Sequence, residues 1–306
     1  KAEWIDALNR MKQVHPHKSI LQVLKISYDG LDENEQTIFL DVVLVFKHWQ
    51  KKKVTQILKS CGLHPTIGIK ILIEKSLLVE TEDGRLEMHD LIEELGRYIV
   101  QQESPNNVCK RSRLWKFKDI KKVLENNKGS EAIQAIAIED NYEDQGRIEV
   151  HPEAFSKMSS IRLLLKGKVT DSQLILPRGF KLPGTLKVVQ WLSFPFEALP
   201  LETPLNELVH VKMHKSRIKQ LWNDIKVRLK LHNDIKFDQP MKMKFIDLRD
   251  SKCFIETPDF SGVPCLEYLC LRSCTSLVKV HPSLGELKEL VEVELHDCQN
   301  LNSLPS

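Results

Sequence analysis

The sequence predicts a multidomain α+β fold, on three observations: apolar residues recur at helical spacing up to about residue 103, an Asp-Gly hairpin signal sits inside that stretch, and from about Ala132 short strands return with a period in the low twenties. Helices followed by a hairpin make a winged helix, and the later period is that of leucine-rich repeats. The expected architecture is therefore a helical winged-helix domain followed by a leucine-rich-repeat α/β solenoid.

The first half carries its own punctuation. Ser19 to Tyr28 places Ile20, Leu24 and Tyr28 on one side, and Gly30 ends the run. Asp32 with Glu35 forms a D-x-x-E start, in which the carboxylate accepts from free N–H groups of the first turn. From Ile38 to Phe46 that helix becomes apolar on nearly every side, as a central buried helix does. Val54 to Ser60 gives a shorter helix stopped at Gly62, and Thr66 to Glu74 another, with Ile67, Ile71 and Leu72 expected inward. Leu77 to Glu80 and Arg85 to Met88 read as strands joined through Thr81-Glu82-Asp83-Gly84, because Asp and Gly tolerate positive φ. Asp90 then precedes Leu91 to Leu95 in a second D-x-x-E start, so it is expected to cap a helix running to about Gln102, with His89 at the junction of hairpin and helix.

Between Glu103 and Lys128 eight basic residues face three acidic ones, a local +5 in a chain of net +3. Residues 104–130 are thus expected to form a basic helical linker, with Lys110, Arg111, Arg113, Lys116, Lys118, Lys121 and Lys122 solvated or offered to an acidic partner, a phosphate or nucleic acid.

The second half, residues 131–306, repeats one template: Leu186-x-x-Val189-x-Trp191, Leu208-x-x-Val211-x-Met213, Met243-x-x-Ile246-x-Leu248, Leu266-x-x-Leu269-x-Leu271 and Leu290-x-x-Val293-x-Leu295. Their last residues are 22, 35, 23 and 24 apart, so about twelve extra residues loop out near Val227 to Gln239. Ile133 to Ile138 and Ile161 to Leu165 read as a cap and first repeat covering the open end of the stack, and the pattern breaks off at Leu304. Cys274 and Cys298 fall three residues after the last template Leu, where a side chain turns inward to satisfy backbone groups between coils, and no metal is expected on the cysteines. Gln190, His210, Lys212, Asp247, Glu267, Cys270, Glu292 and Glu294 are expected on the concave side, where their mixed charge favours a protein partner over nucleic acid.

Composition excludes several classes. With 306 residues, 42% hydrophobic and 28% charged, the chain suits two folded domains. The longest apolar run, Ile38 to Phe46, is far short of the ~20 residues of a membrane span. Seven cysteines and no Asn-x-Ser/Thr sequon argue against a secreted disulfide scaffold and for a reducing compartment, cytoplasmic or nuclear. Lys1 to Leu8 read as a helix entered midway, as in a piece of something longer. No Ser/His/Asp or Cys/His set and no tuned carboxylate pair suggests catalysis, so no catalytic residue is assigned.

Five motifs in order, Leu24-Lys25-Ile26-Ser27-Tyr28-Asp29-Gly30-Leu31, Ile38-Phe39-Leu40-Asp41, Leu77-Leu78-Val79, Met88-His89-Asp90 and Arg111-Ser112-Arg113-Leu114-Trp115, resemble plant intracellular immune receptors of the nucleotide-binding leucine-rich-repeat class, the Toll/interleukin-receptor-domain subtype above all. The resemblance implies a tail of the preceding helical domain over 1–18, the winged helix over 19–103, and a regulatory, non-catalytic role in plant defence. It also implies that His89 touches the β-phosphate of ADP held by an upstream nucleotide-binding domain, with Met88 and Asp90 shaping the loop, and that the repeats recognise a pathogen effector or host protein or hold the receptor off. ADP or ATP would belong to the full-length parent. This chain has no G-x-x-x-x-G-K-[ST] loop, since Gly179 and Gly184 have the spacing but Thr185 stands where Lys is needed, so alone it is expected to bind no nucleotide. The alternative reading is a stand-alone winged-helix nucleic-acid-binding protein or a leucine-rich-repeat scaffold, although Thr66 to Glu74 offers a recognition helix only Lys70.

Overall fold

The computed structural model describes residues 16–138, 146–167, 174–199, 206–222, 240–302 and 304; the expectations for residues 1–15 and for the insertion at 227–239 lie outside these. The chain divides into two compact units, residues 1–106 and 107–306.

In the first unit α1 (Pro16–Asp29) ends at Gly30, and α2 (Glu33–Asp41) opens on the expected capping box: Asp32 accepts from the Glu35 N–H at 2.7 Å and Glu35 accepts from the Asp32 N–H at 3.0 Å. The helix then widens into a π-helical turn, Val42–Phe46, in which all five side chains are buried. α3 (Lys51–Ser60) stops at Gly62, whose φ of +79° suits a residue without Cβ. In α4 (Pro65–Glu74) the inward residues are Ile69 and Leu72, while Ile67, expected inward, is 66% exposed. Ile67 lies about 200° round the helix from Ile69, so a buried stripe through Ile69 and Leu72 turns it out. β1 (Val79–Glu80) and β2 (Leu86–Glu87) pair antiparallel, with Gly84 at φ +76° in the turn, and Gln50 makes a single antiparallel bridge to Arg85. This helical set with its hairpin is the predicted winged helix.

α5 (Asp90–Glu103) packs across the π-helical turn. The contact is close: a Cβ on Gly96 would come 2.7 Å from Val43 Cγ1, so only glycine lets the two backbones approach this far.

The second unit starts earlier than the sequence suggests. A 3₁₀ turn (Val108–Lys110), β3 (Arg113–Leu114) and α6 (Phe117–Glu125) belong to the solenoid, and β3 pairs in parallel with β4 (Ala135–Ile138). The stretch expected as a solvated basic linker is thus the cap of the stack. Val108, Leu114, Phe117, Ile120, Val123 and Leu124 join the repeat core, and Arg111 and Arg113 are buried, Arg111 pairing with Asp119 at 2.9 Å. The error has a clear source: the charge count weighed the basic residues and passed over the apolar ones between them, which are the buried side of an amphipathic capping element.

The remaining strands are β5 (Ile148–Glu149), β6 (Leu163–Lys166), β7 (Leu174–Ile175), β8 (Val188–Trp191), β9 (His210–Lys212), β10 (Phe245–Asp247), β11 (Tyr268–Cys270) and β12 (Glu292–Glu294). One parallel sheet runs β12-β11-β10-β9-β8-β6-β4-β3, with β5 and β7 paired separately. Ile136, Leu164, Val189, Val211, Ile246 and Leu269 align across it and are at most 1% exposed, each worth roughly 1.5–3 kcal/mol of burial. The long step between repeats leaves this register intact, since Val211 faces Ile246 as its neighbours face theirs.

After each of β8 to β12 the chain turns through a left-handed residue, Ser193, Lys215, Asp250, Ser273 or Asp297 (φ +55° to +62°). The next residue points inward. Ser251 Oγ donates to the Met213 carbonyl at 3.1 Å, Cys274 Sγ to the Leu248 carbonyl at 3.4 Å, and Cys298 Sγ to the Leu271 carbonyl at 3.1 Å. These small polar groups donate to backbone carbonyls between coils, as expected for Cys274 and Cys298; the Leu248 and Leu271 carbonyls also accept the Ser251 and Cys274 N–H groups, each at 3.1 Å.

Candidate functional sites: the Met-His-Asp turn and the concave face

Met88 is buried beneath the turn and His89 is exposed. His89 also caps α5: its Nδ1 accepts the Leu91 N–H at 3.2 Å, and the helix begins at Asp90. The expectation that Asp90 caps the helix is therefore corrected. A histidine whose β-region backbone precedes the first turn can reach the second free N–H with Nδ1, which leaves Asp90 inside that turn with its carboxylate 96% exposed. The capping bond has a chemical consequence. A nitrogen that accepts carries no proton, so the ring hydrogen sits on Nε2, and an exposed imidazole at a helix N-terminus presents a donor there.

Two neighbours distant in sequence hold this turn. Lys47 Nζ lies 2.5 Å from Glu93 and 3.6 Å from Asp90, and Glu93 also meets Arg97 at 2.6 Å. The hydrogen bond to Glu93 raises the Lys47 pKa above its ordinary value against the opposing effect of burial. His48, with φ +68°, donates its backbone N–H to the Leu86 carbonyl at 2.8 Å and sets its ring 2.5 Å from Glu87. The sequence reading missed Lys47 and His48. They sit some forty residues upstream, and no spacing rule joins a helix exit to a hairpin exit.

On the repeat unit, the concave columns follow from strand register. One runs Val188, His210, Phe245, Tyr268, Glu292 and the other Gln190, Lys212, Asp247, Cys270, Glu294. Glu267, expected on this face, precedes β11 and pairs with Lys244 at 2.5 Å; the concave residue is its neighbour Tyr268. The slip is one position in a period of two, which moves a side chain to another surface. Phe245 and Tyr268 were also missed, although the template's alternation marks both. Their rings form a ladder with His210, centroids 5.5 and 6.4 Å apart.

Asp247, 6% exposed, is the electrostatic centre of the face. Arg249 grips it in a fork, Nε to Oδ1 at 3.0 Å and Nη2 to Oδ2 at 2.7 Å, and His214 Nε2 stands 2.9 Å away. Burial alone would push the Asp247 pKa up; the close His214 ring and the Arg249 fork outweigh it and hold the carboxyl well below the usual range. Tyr268 Oη donates to Glu294 at 2.5 Å. Burial pushes the thiols of Cys270 and Cys274 up to about 11 and about 12, so both stay protonated near neutrality and are poor metal ligands. Among the described residues no group of three or more His, Cys, Asp or Glu is placed to hold a metal, and no helix is long and apolar enough to cross a membrane.

Comparison with known proteins places these features. Residues 32–104 match the winged-helix domain of Roq1-like disease resistance proteins. Over 99% of its length the chain is 34% identical to TMV resistance protein N of Nicotiana glutinosa, over 94% it is 34% identical to the disease resistance protein RUN1 of Vitis rotundifolia, and over 95% it is 35% identical to RPP2A of Arabidopsis thaliana. It spans 25%, 22% and 21% of those proteins. Among solved structures, the leucine-rich repeat domain of the type III effector XCV3220 (XopL) is a distant likeness, with a TM-score of 0.40 and 14% identity over 96% of this chain and 91% of that one.

Proposed function

Because the chain belongs with the plant disease resistance proteins, matching the stretch that runs from their winged helix into their leucine-rich repeats, we propose that it is the regulatory and recognition portion of an intracellular plant immune receptor. In this reading the winged helix senses the ADP state of a nucleotide-binding domain that precedes it, and the concave repeat face takes a pathogen effector or host protein, or holds the switch closed. The receptor works in the cytoplasm or nucleus, and this portion contributes no catalysis.

The observation that supports the reading is the bond between Leu91 N–H and His89 Nδ1. It fixes the tautomer that offers Nε2–H to an acceptor such as a terminal phosphate oxygen. The fit is partial, as one wall of a pocket would be: His89 supplies the donor, Asp90 and Glu93 supply no positive charge, and the phosphate cradle has to come from other sequence. ADP and ATP differ in charge and space at that donor. A modest difference in affinity suffices to shift a two-state equilibrium between closed and open receptor.

His89→Asn and His89→Ala separate this role from the structural one. Asparagine also caps helices, so His89→Asn keeps the turn while removing the ring donor. In the full-length protein expressed in leaf tissue, both variants are expected to lose co-purifying ADP and to trigger cell death without effector, and only His89→Ala should also lower the melting temperature of the winged helix. Full ADP content and resting silence in both variants would overturn the assignment.

A further inference from the structure

Lys166 breaks the repeat template. It occupies the column that holds Trp191, Met213, Leu248 and Leu271 in later repeats, facing Trp191 across the ladder, and it is 3% exposed. Its Nζ donates to the Leu192 carbonyl at 3.0 Å. An apolar residue fills this position in each later repeat named, and burying an ammonium is costly in comparison. A local rule broken in an otherwise regular stack marks a place where something other than packing is served.

What lies beside Lys166 shows the kind of ligand. A cavity of about 170 Å³ opens beside the end of β6, the start of β7 and the turns that follow β8 and β9, lined by Lys166, Trp191, Ser193, Lys215 and Arg217 with Leu174 and Pro195. Three of its walls are cations, and none of its described lining residues is acidic. Lys215 sits at the left-handed turn position, φ +55°, and is exposed like Arg217. The Trp191 indole closes the apolar side. A partly dry wall strengthens each charge–charge interaction relative to open water. Ser193 adds a neutral hydroxyl donor, and the Arg217 guanidinium has the planar fork that matches phosphate oxygens.

We propose that this cavity is a phosphate-recognition site for a small organic phosphate, with Lys166 at its floor and Lys215 and Arg217 at its mouth. The volume admits a phosphoryl group and a few attached atoms. The site lies wholly within the repeat unit and is independent of the role of His89.

The test is calorimetric titration of the full 306-residue chain with inorganic phosphate and with pyrophosphate, at ionic strength matched with sodium chloride. Both anions are expected to bind, pyrophosphate more tightly, and affinity should fall roughly tenfold or more for each of Lys215→Ser and Arg217→Gln. These two changes are on exposed side chains and leave the core intact. Lys166→Leu restores an apolar residue at this position and should raise the melting temperature by about 2–4 °C while abolishing the anion-dependent rise expected of the wild type. Should Lys166→Leu fail to fold, the two surface variants decide. Absence of binding by either anion, or binding that survives Lys215→Ser and Arg217→Gln unchanged, overturns the proposal.

Discussion

Lys47 Nζ lies 2.5 Å from Glu93 Oε2, tying the residue that follows the π-helical turn to the first turn of the helix His89 caps. Glu93 has Arg97 as a second partner and Asp90 stands 3.6 Å from the same ammonium, so the turn is clamped by a small network of charges. Such networks hold geometry better than isolated surface pairs do. Orientation of the His89 ring depends on where α5 begins, and Lys47 helps set that.

Lys47→Ala is therefore expected to lower the stability of the first unit by about 1 kcal/mol at neutral pH, with a smaller effect at high salt. The raised pKa fixes the pH window: the contribution is present in full below the ordinary lysine value of about 10.4 and disappears as pH rises through the folded value. Urea unfolding of wild type, Lys47→Ala, Glu93→Ala and the double variant measures the coupling. Strict additivity in that cycle would show the pair contributes nothing.

Asp247 gives the opposite pH sign. Its depressed pKa stabilises the fold above the ordinary carboxylate value of about 3.9, and that stabilisation is lost as pH falls through the folded value. Asp247→Asn leaves Arg249 without its fork partner and should cost about 1–3 kcal/mol at pH 7. The gap between variant and wild type is expected to narrow steadily below about pH 4. Thermal melts of both proteins between pH 7 and pH 3 read this directly, and a gap constant over that range would refute the role given to the carboxylate.

The legible part of this protein was what periodicity controls. The capping box at Asp32, the Asp-Gly hairpin and the inward polar positions at Cys274 and Cys298 each follow from a local rule in which spacing determines direction. What failed was decided by neighbours remote in sequence or by phase. The basic run after Glu103 reads as a solvated helix until Leu114 finds Ile136 in the sheet, and Glu267 reads as concave until register with Phe245 selects Tyr268. The cap of α5 failed for another reason: Asp is the better capping residue by preference, but the exit of β2 delivers His89 to the capping position with Nδ1 in reach of Leu91. The Lys47 and His48 contacts close loops of roughly forty residues, and nothing in either segment's composition announces the other.

Cys274 tests the inward ladder itself. Its side chain is fully buried, its Sγ donates to the Leu248 carbonyl at 3.4 Å, and desolvation keeps the thiol protonated. Cys274→Ala removes one of the two donors to the Leu248 carbonyl, which keeps the Ser251 N–H at 3.1 Å, and leaves a small cavity, so a loss of about 1–2 kcal/mol is expected. Cys274→Ser should recover part of this, because Ser251 fills the same place in the preceding repeat with an Oγ bond of 3.1 Å. Thiol labelling supplies an independent readout in the native protein: the exposed Cys253 and Cys265 should be alkylated quickly, and Cys274 only after unfolding. Rapid native labelling of Cys274, or an Ala variant as stable as the wild type, would mean that the small polar column does not hold the coils together as described.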